Sequence, residues 1–166
     1  IGSLAAGLQH LGLSSGDRIA ILALNSDRYL ELFFAVPWAG AVVVPINIRL
    51  AAPEILFTLN DSETEILVID DAFAPLLPAL EGKMNTVKKI IFAGDGKTPA
   101  DCVNYEALIS QHSPVPDAER GGNDLAGLFY TGGTTGRSKG VMLTHDNLMN
   151  NALNVLPFMK FDEQSV

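Results

Sequence analysis

The sequence has few cysteines and few charged residues. Its 166 residues include one cysteine, Cys102, so no internal disulfide can form, and this usage is typical of a reducing cytoplasm. Charged residues make up 18% of the chain, below the roughly 25% that is usual for soluble domains. Acidic residues outnumber basic ones, for a formal net charge of −8. This balance gives no support to binding of nucleic acid or of an anionic membrane surface.

Long hydrophobic runs and metal-ligand patterns are also missing. The longest apolar stretch, Leu32–Ile46, is interrupted by Pro37, Gly40 and Pro45, and it is shorter than the roughly 20 residues that span a bilayer. We therefore expect no transmembrane segment and a cytoplasmic location. The histidines are scattered without the spacing of metal ligands, so the sequence predicts no metal site.

The chain instead alternates between apolar runs and amphipathic stretches. The apolar runs, typical of strands buried on both faces, are Arg18–Leu24, Val42–Ile46, Glu65–Asp70 and Lys88–Phe92. The helical patterns are Ile1–Leu11, a segment capped by Asn25-Ser26 that runs to about Ala39, Ala52–Asn60 and Phe73–Leu80. Strands that alternate with helices predict an α/β fold with a mostly parallel sheet flanked by helices.

Some segments have less regular patterns. The stretch from Ala93 to Gly122 is rich in Gly, Pro, Asp and Ser, and we predict a long surface connection with a short helical piece at Tyr105–Gln111. The pair Asp70-Asp71 is predicted to cap strand and helix ends rather than to bind a metal. Three aromatic side chains of the second helix are predicted to lie in the core: Phe33, Phe34 and Trp38.

A glycine-rich loop stands between two apolar runs near the end of the chain. Leu125–Tyr130 enters it and Val141–Leu143 leaves it, so we predict strand, loop, strand. The loop from Thr131 to Gly140 holds four glycines, three threonines, one serine, one arginine and one lysine. Glycines let several backbone N–H groups point at one anion, while hydroxyls and cations add donors and positive charge. The composition predicts a polyphosphate ligand.

The spacing excludes two common phosphate-binding motifs. No glycine precedes a Gly-Lys pair with four residues between them, as a P-loop requires, and G-x-G-x-x-G does not occur here. A glycine-rich hairpin without a ligand is the simplest alternative. A bare hairpin needs only about two to five turn residues, so the length and the two cations of this loop favour a binding role.

Tyr130–Gly140, followed by Thr144-His145-Asp146-Asn147, resembles the phosphate-binding signature of the adenylate-forming superfamily. That superfamily includes acyl-CoA synthetases, luciferases and the adenylation domains of peptide synthetases. The sequence departs from the usual pattern at Gly132, where serine is usual, and at Ser138, where proline is usual. The missing serine hydroxyl removes one phosphate contact, and the missing proline leaves the loop less restricted.

The resemblance extends to the first half of the chain. Gly16–Ala20 and the passage Ala39–Asn47 are similar to the opening of the large N-terminal domain of adenylate-forming enzymes. The resemblance implies that residues 1–166 form the first part of that domain, without the rest of the large domain and without the C-terminal domain. Such a piece is expected to be inactive alone.

The resemblance also implies a reaction. In these enzymes a carboxylic acid attacks the α-phosphate of ATP, in the presence of Mg²⁺, and expels pyrophosphate. A thiol, usually that of coenzyme A, then takes the acyl group. The residues that would hold ATP phosphates are Thr131, Gly132, Gly133, Thr134, Thr135, Gly136, Lys139 and Gly140.

Three neighbouring residues are given simpler roles. Arg137 occupies a variable position of the family and is predicted to be a solvated surface charge. Tyr130 is predicted to be a strand residue that faces a neighbouring layer. His145 is the one catalytic candidate, but its place in the first turn of a helix favours a role in positioning the end of the loop.

The identity of the acid is left open by the sequence. The loop variant is similar to the long-chain acyl-CoA ligase branch, which favours a fatty acid, but aromatic and short-chain acids are also compatible. A luciferase-like enzyme or a peptide-synthetase adenylation domain would carry the same loop. An alternative of a different class is a non-catalytic nucleotide-binding module. The sequence makes no prediction about oligomeric state.

Overall fold

The computed structural model describes residues 1–132 and 137–159 of the chain. The strands in these residues are β1 (Arg18–Leu22), β2 (Val42–Pro45), β3 (Thr64–Ile69), β4 (Lys89–Phe92), β5 (Val103–Asn104), β6 (Leu125–Thr131) and β7 (Lys139–Thr144). The helices are α1 (Gly2–His10), α2 (Asp27–Trp38), α3 (Ala52–Asp61), α4 (Leu77–Leu80), α5 (Tyr105–Ser110) and α6 (His145–Met159). A 3₁₀ turn at Ala74–Leu76 leads into α4.

The described strands form one sheet in the order β5-β4-β3-β1-β2-β6-β7. Every neighbouring pair from β5 to β6 is parallel, and β6 pairs with β7 in antiparallel fashion. Parallel strands require crossover connections, and helices lie in those from β1 to β2, from β2 to β3 and from β3 to β4. The predicted α/β class, with a mostly parallel sheet flanked by helices, is therefore confirmed.

The core lies on both faces of the central strands. Along β1, Ile19 and Ile21 pack with buried side chains of α1, α2 and α5, whereas Ala20 and Leu22 pack with those of α3 and α4. Successive side chains of a strand point to opposite faces, so an uninterrupted apolar run is what two covered faces require. Each fully buried aliphatic side chain of this kind contributes roughly 1.5–3 kcal/mol.

Helix boundaries follow the predicted signals. The Ser26 hydroxyl accepts a hydrogen bond from the backbone N–H of Tyr29 at 3.1 Å, which caps α2. Pro37 lies one residue before the end of the same helix. Pro53 lies in the first turn of α3, where its missing N–H costs no intrahelical bond.

Two sequence-based expectations were wrong. The segment between Ala93 and Gly122 is not only a surface connection, because it adds the edge strand β5, and α5 buries Tyr105 and Leu108 against the core. A two-residue strand is too short to show a period in the sequence. Phe34 is 59% exposed, so it is not a core residue.

The last two strands are held differently from the others. β6 is paired with β2 at Val43 and Gly127. The N–H groups of Val42 and Ile46 are directed at the β1 side, so the alternating positions Val43 and Pro45 face β6. Because Pro45 has no N–H to donate, the pairing of β2 with β6 does not continue towards the end of β6.

The far side of this pair is open among the described residues. No residue of α6 is buried, and Met142, Met149 and Phe158 are more than half exposed. The hydrophobic surface of β7 and α6 is therefore available for contact. None of the helices described is long and apolar enough to cross a membrane.

Candidate functional site

The glycine-rich loop is carried at the tip of the antiparallel pair of β6 and β7. The ladder pairs Tyr130 with Gly140 and ends with Thr131 opposite Lys139. The Ser138 hydroxyl donates a 2.8 Å hydrogen bond to the Thr131 carbonyl and closes the base of the loop. The predicted order of strand, loop and strand is confirmed. Gly133, Thr134, Thr135 and Gly136 lie outside the described residues.

The two described glycines of the loop motif differ in their surroundings. A Cβ atom at Gly132 would meet nothing within 4 Å, so a serine, the usual residue of the resembled motif, fits there sterically. A Cβ atom at Gly140 would lie 3.0 Å from the Tyr130 ring carbon Cζ. Gly140 therefore makes room for the aromatic ring that packs across the ladder from it.

Tyr130 attaches the end of β6, which is the first arm of the loop, to helix α3. Its side chain packs with the core cluster that contains Ile55 and Leu59 of α3. Its hydroxyl donates a 2.6 Å hydrogen bond to the Asp61 Oδ2 atom at the end of that helix. Burial, and then the bond to Asp61, raise the pKa of Tyr130, so the hydroxyl remains a donor at neutral pH. The prediction that Tyr130 faces a neighbouring layer is confirmed.

Phe57 links both arms of the loop to the same helix. It lies one turn before Asp61, and its ring meets the Tyr130 ring edge-on, with centroids 6.5 Å apart at 88°. The second arm of the loop consists of Arg137 and Ser138, which lead into β7. From this arm, the Arg137 Cζ atom lies 5.5 Å from the Phe57 centroid, within the range of a cation–π contact. Arg137 is exposed, as predicted, but it also covers an aromatic ring.

A cleft of about 530 Å³ opens between α3 and the second arm of the loop. It is lined by Leu50, Pro53, Glu54, Phe57, Thr58, Arg137 and Ser138. Its lining is partly apolar, and Arg137 and Glu54 add side chains of opposite charge. An anion bound by the loop would therefore have this cleft as its neighbour.

His145 lies at the other end of β7. It follows Lys139 by six residues, which along a strand corresponds to about 20 Å. It lines a separate cleft of about 350 Å³ together with Trp38 and Arg120. Its Nε2 atom is buried and has no hydrogen-bond partner among the residues that the structure describes. The structure therefore places His145 apart from the described base of the loop.

The start of α6 is fixed by reciprocal hydrogen bonds. The Thr144 hydroxyl accepts from the Asn147 N–H at 3.2 Å, and the Asn147 Oδ1 atom accepts from the Thr144 N–H at 3.0 Å. The His145 N–H donates to the Asp124 carbonyl at 3.1 Å. Thr144 therefore caps α6, and the end of β7 is held to the start of β6.

The carboxylates after β3 have the predicted strand-end role. Asp70 accepts backbone hydrogen bonds from Leu24 at 2.8 Å and from Ala72 at 3.0 Å. Asp71 accepts from the Asp95 N–H at 2.7 Å. These bonds connect the carboxyl ends of three neighbouring strands. In the described part of the chain, no group of three or more His, Cys, Asp or Glu side chains is placed to hold a metal ion.

Sequence reasoning missed Phe57 and Asp61. Their spacing of four residues puts them on one face of α3, but Phe57 also fits the pattern of a core residue. Tyr130 lies 69 residues after Asp61, so only the fold brings the two side chains together. The sequence contained no local signal for this contact.

The chain is similar to known proteins over most of its length. A family model described as AMP-binding enzyme matches residues 1–166. A long-chain-fatty-acid–CoA ligase of Thermus thermophilus is 40% identical over 151 residues, which cover 90% of this chain and 27% of the relative. A feruloyl-CoA synthase of an Amycolatopsis species is 40% identical over 157 residues, which cover 94% of this chain and 29% of the relative.

A solved structure gives the same result for the fold. The ATP-bound structure of MatB from Rhodopseudomonas palustris is 33% identical and superposes with a TM-score of 0.80. The match covers 96% of this chain and 31% of that protein. The chain thus spans less than a third of the length of these relatives.

Proposed function

Because the chain belongs to the AMP-binding enzyme family, we propose that the whole protein activates a carboxylic acid with ATP and transfers the acyl group to a thiol. The observation that carries this proposal is the glycine- and threonine-rich loop at the tip of β6 and β7, in a chain that the family model matches throughout. The acid would attack the α-phosphate, pyrophosphate would leave, and the thiol of coenzyme A would then attack the acyl-adenylate.

The loop would hold the departing pyrophosphate. Catalysis of this step requires donors aimed at the negative charge that develops on the leaving group. Backbone N–H groups of the loop and the hydroxyls of Thr131, Thr134 and Thr135 would supply donors, and Lys139 would add a point charge. Glycines at 132, 133, 136 and 140 would keep the backbone close to the phosphates. The net charge of −8 means that an anion must be held by such local groups.

Magnesium belongs to this proposal as the cation that accompanies the phosphates of ATP. Magnesium would offset the charge of these phosphates. The residues that the structure describes place no group of three or more carboxylate, histidine or cysteine side chains around a metal position. The chemistry assigned to this chain is therefore the binding and orientation of the phosphates by loop donors.

A fatty acid is the substrate class that we favour. The loop variant is similar to that of long-chain acyl-CoA ligases, and a relative of that name is 40% identical. A feruloyl-CoA synthase is equally identical, so an aromatic acid is the second candidate.

We further propose that residues 1–166 belong to the large N-terminal domain and do not form acyl-adenylate by themselves. The relatives are more than three times as long as the matched part, which supports a need for further chain to complete the acyl and adenine sites. A cytoplasmic location is supported by the single cysteine of the chain.

Acid-dependent exchange of labelled pyrophosphate into ATP tests the proposal in the whole protein. A panel of fatty, aromatic and short-chain acids should show exchange with one class. Lys139→Ala should lower the exchange rate on the order of 10²-fold, because one donor to the leaving group is lost. Lys97→Ala, which removes an exposed lysine before β5, is the matched control and should have no effect.

Two outcomes would contradict the assignment. Acyl-adenylate formation by residues 1–166 alone, at the rate of the whole protein, would show that the roles are misassigned. A folded whole protein that binds ATP but exchanges pyrophosphate with no acid would favour a non-catalytic nucleotide-binding module.

A further inference from the structure

The tip of the β6–β7 pair depends on side chains for its position. β6 is paired with β2 at Gly127, and Pro45 cannot donate the next ladder bond. Four residues of β6, Leu128–Thr131, therefore extend past this point with β7 as their described backbone partner. A two-stranded ribbon without a third strand is only marginally stable in water. Contacts with another element are needed to fix the described ends of the loop in one position.

Helix α3 supplies these contacts to both arms. From the first arm, the Tyr130 hydroxyl donates to Asp61 at 2.6 Å while its ring meets Phe57. From the second arm, Arg137 lies over the same Phe57 ring at 5.5 Å. Gly140 allows this arrangement, because a side chain there would meet the Tyr130 ring at 3.0 Å.

We infer that Phe57, Asp61, Tyr130 and Arg137 form an anchor that positions the loop for the ATP phosphates. These four are positioning residues, and the inference rests on the proposed function of the loop. Phosphate binding by several backbone N–H groups is sensitive to small displacements, and a shift of about 1 Å can cost on the order of 10²-fold in rate. The anchor acts on loop geometry and not on the carboxylic acid.

The chain contains a matched control for the central hydrogen bond. The Tyr105 hydroxyl donates to the Glu31 Oε2 atom, also at 2.6 Å, but this pair joins α5 to α2. In both pairs burial and the carboxylate raise the pKa of the tyrosine. Tyr130→Phe and Tyr105→Phe therefore remove the same chemical bond, once at the loop and once away from it.

The test measures the KM values for ATP and for the acid, kcat and Tm in the whole protein. Tyr130→Phe and Asp61→Ala should each raise the KM for ATP about threefold to tenfold, the range expected for one lost hydrogen bond, with the KM for the acid unchanged. The KM for ATP of the double variant should be no higher than that of the single variants, because the two groups share one hydrogen bond. Tyr105→Phe should lower Tm and leave the KM for ATP within about twofold.

The second arm is tested with Phe57→Leu and Arg137→Lys. Leucine keeps apolar contact but removes the ring, and lysine keeps the charge but not the planar guanidinium. We expect both variants to raise the KM for ATP. A normal KM in Phe57→Leu, combined with a raised one in Arg137→Ala, would show that Arg137 acts directly on the ligand and would overturn its place in the anchor.

Direct titration of the wild type and of Tyr130→Phe with ATP separates this inference from the proposed function. If the wild type binds ATP but does not exchange pyrophosphate, the proposed reaction fails, and weaker binding by Tyr130→Phe still supports the anchor. If the wild type exchanges and Tyr130→Phe shifts only Tm, or raises both KM values equally, the anchor is wrong and the proposed function stands. A wild type that neither binds ATP nor exchanges pyrophosphate would contradict both the proposed function and the anchor.

Discussion

The two ends of the sheet are built on different principles. Strands β1, β3 and β4 are parallel, and helices cover both of their faces. Strand side chains such as Ile21 and Leu67 are buried beneath these helices. β6 and β7 form an antiparallel pair, and the following helix α6 has no buried residue among those described. The parallel part contains most of the core, whereas the antiparallel part carries the candidate loop.

The comparison separates the part of the chain that holds most of the core from the part that carries the candidate loop. Burial on two faces keeps the side chains that stabilise the parallel part away from solvent. The loop needs an exposed position, so it is placed where the sheet ladder stops and where side chains of α3 replace backbone hydrogen bonds. Loops that carry function on a rigid scaffold are a common solution to this conflict.

The largest contrast is expected between a core position and the open face. Ile21→Ala should lower the free energy of unfolding by about 2–5 kcal/mol, because it leaves a cavity at a fully buried position of β1. Leu153→Ala, at a position of α6 that is 53% exposed, should change it by less than about 0.5 kcal/mol. Urea unfolding of the 166-residue chain measures both. Equal losses would show that α6 is as tightly packed as the core.

A smaller contrast is expected between the two glycines of the loop motif. Gly140→Ala should cost about 1–3 kcal/mol and weaken ATP binding, because the new methyl group meets the Tyr130 ring at 3.0 Å. Gly132→Ser should change stability by less than about 0.5 kcal/mol, since the space there is open. Thermal unfolding and ATP titration of both variants test this pair. A stable Gly140→Ala variant with normal ATP binding would contradict the packing described for Tyr130.

The smallest contrast is a difference in alkaline pH dependence. Tyrosine ionises near pH 10 in the unfolded chain, whereas the pKa values of Tyr105 and Tyr130 are raised in the folded one. Above about pH 10 the unfolded state has lost these protons and the folded state has kept them, so stability falls as pH rises. Unfolding at pH 8 and at pH 10.5 should show a smaller loss in Tyr105→Phe than in the wild type. The loss of stability in Tyr130→Phe should differ less from that of the wild type, because Tyr130 is less buried than Tyr105.

The same contrast explains which features could be predicted from the sequence. The strands of the parallel part were predicted because burial on both faces requires uninterrupted apolar runs such as Arg18–Leu24. Strand β5 was missed because two residues carry no period. Phe34 was assigned to the core, although it lies with Leu30 on an exposed face of α2. The loop was predicted from its composition. Its contact with Asp61 was not, because that contact depends on how α3 crosses the sheet.

The open face of β7 and α6 also has a chemical consequence. Three of the four methionines of the chain, Met142, Met149 and Met159, lie on these two elements and are at least 55% exposed. Thioethers in contact with solvent are the first to be converted to sulfoxides by peroxide, and the change makes an apolar side chain polar. In the isolated 166-residue chain, oxidation would therefore begin on β7 and α6, and it would remove their apolar character before it reached the core.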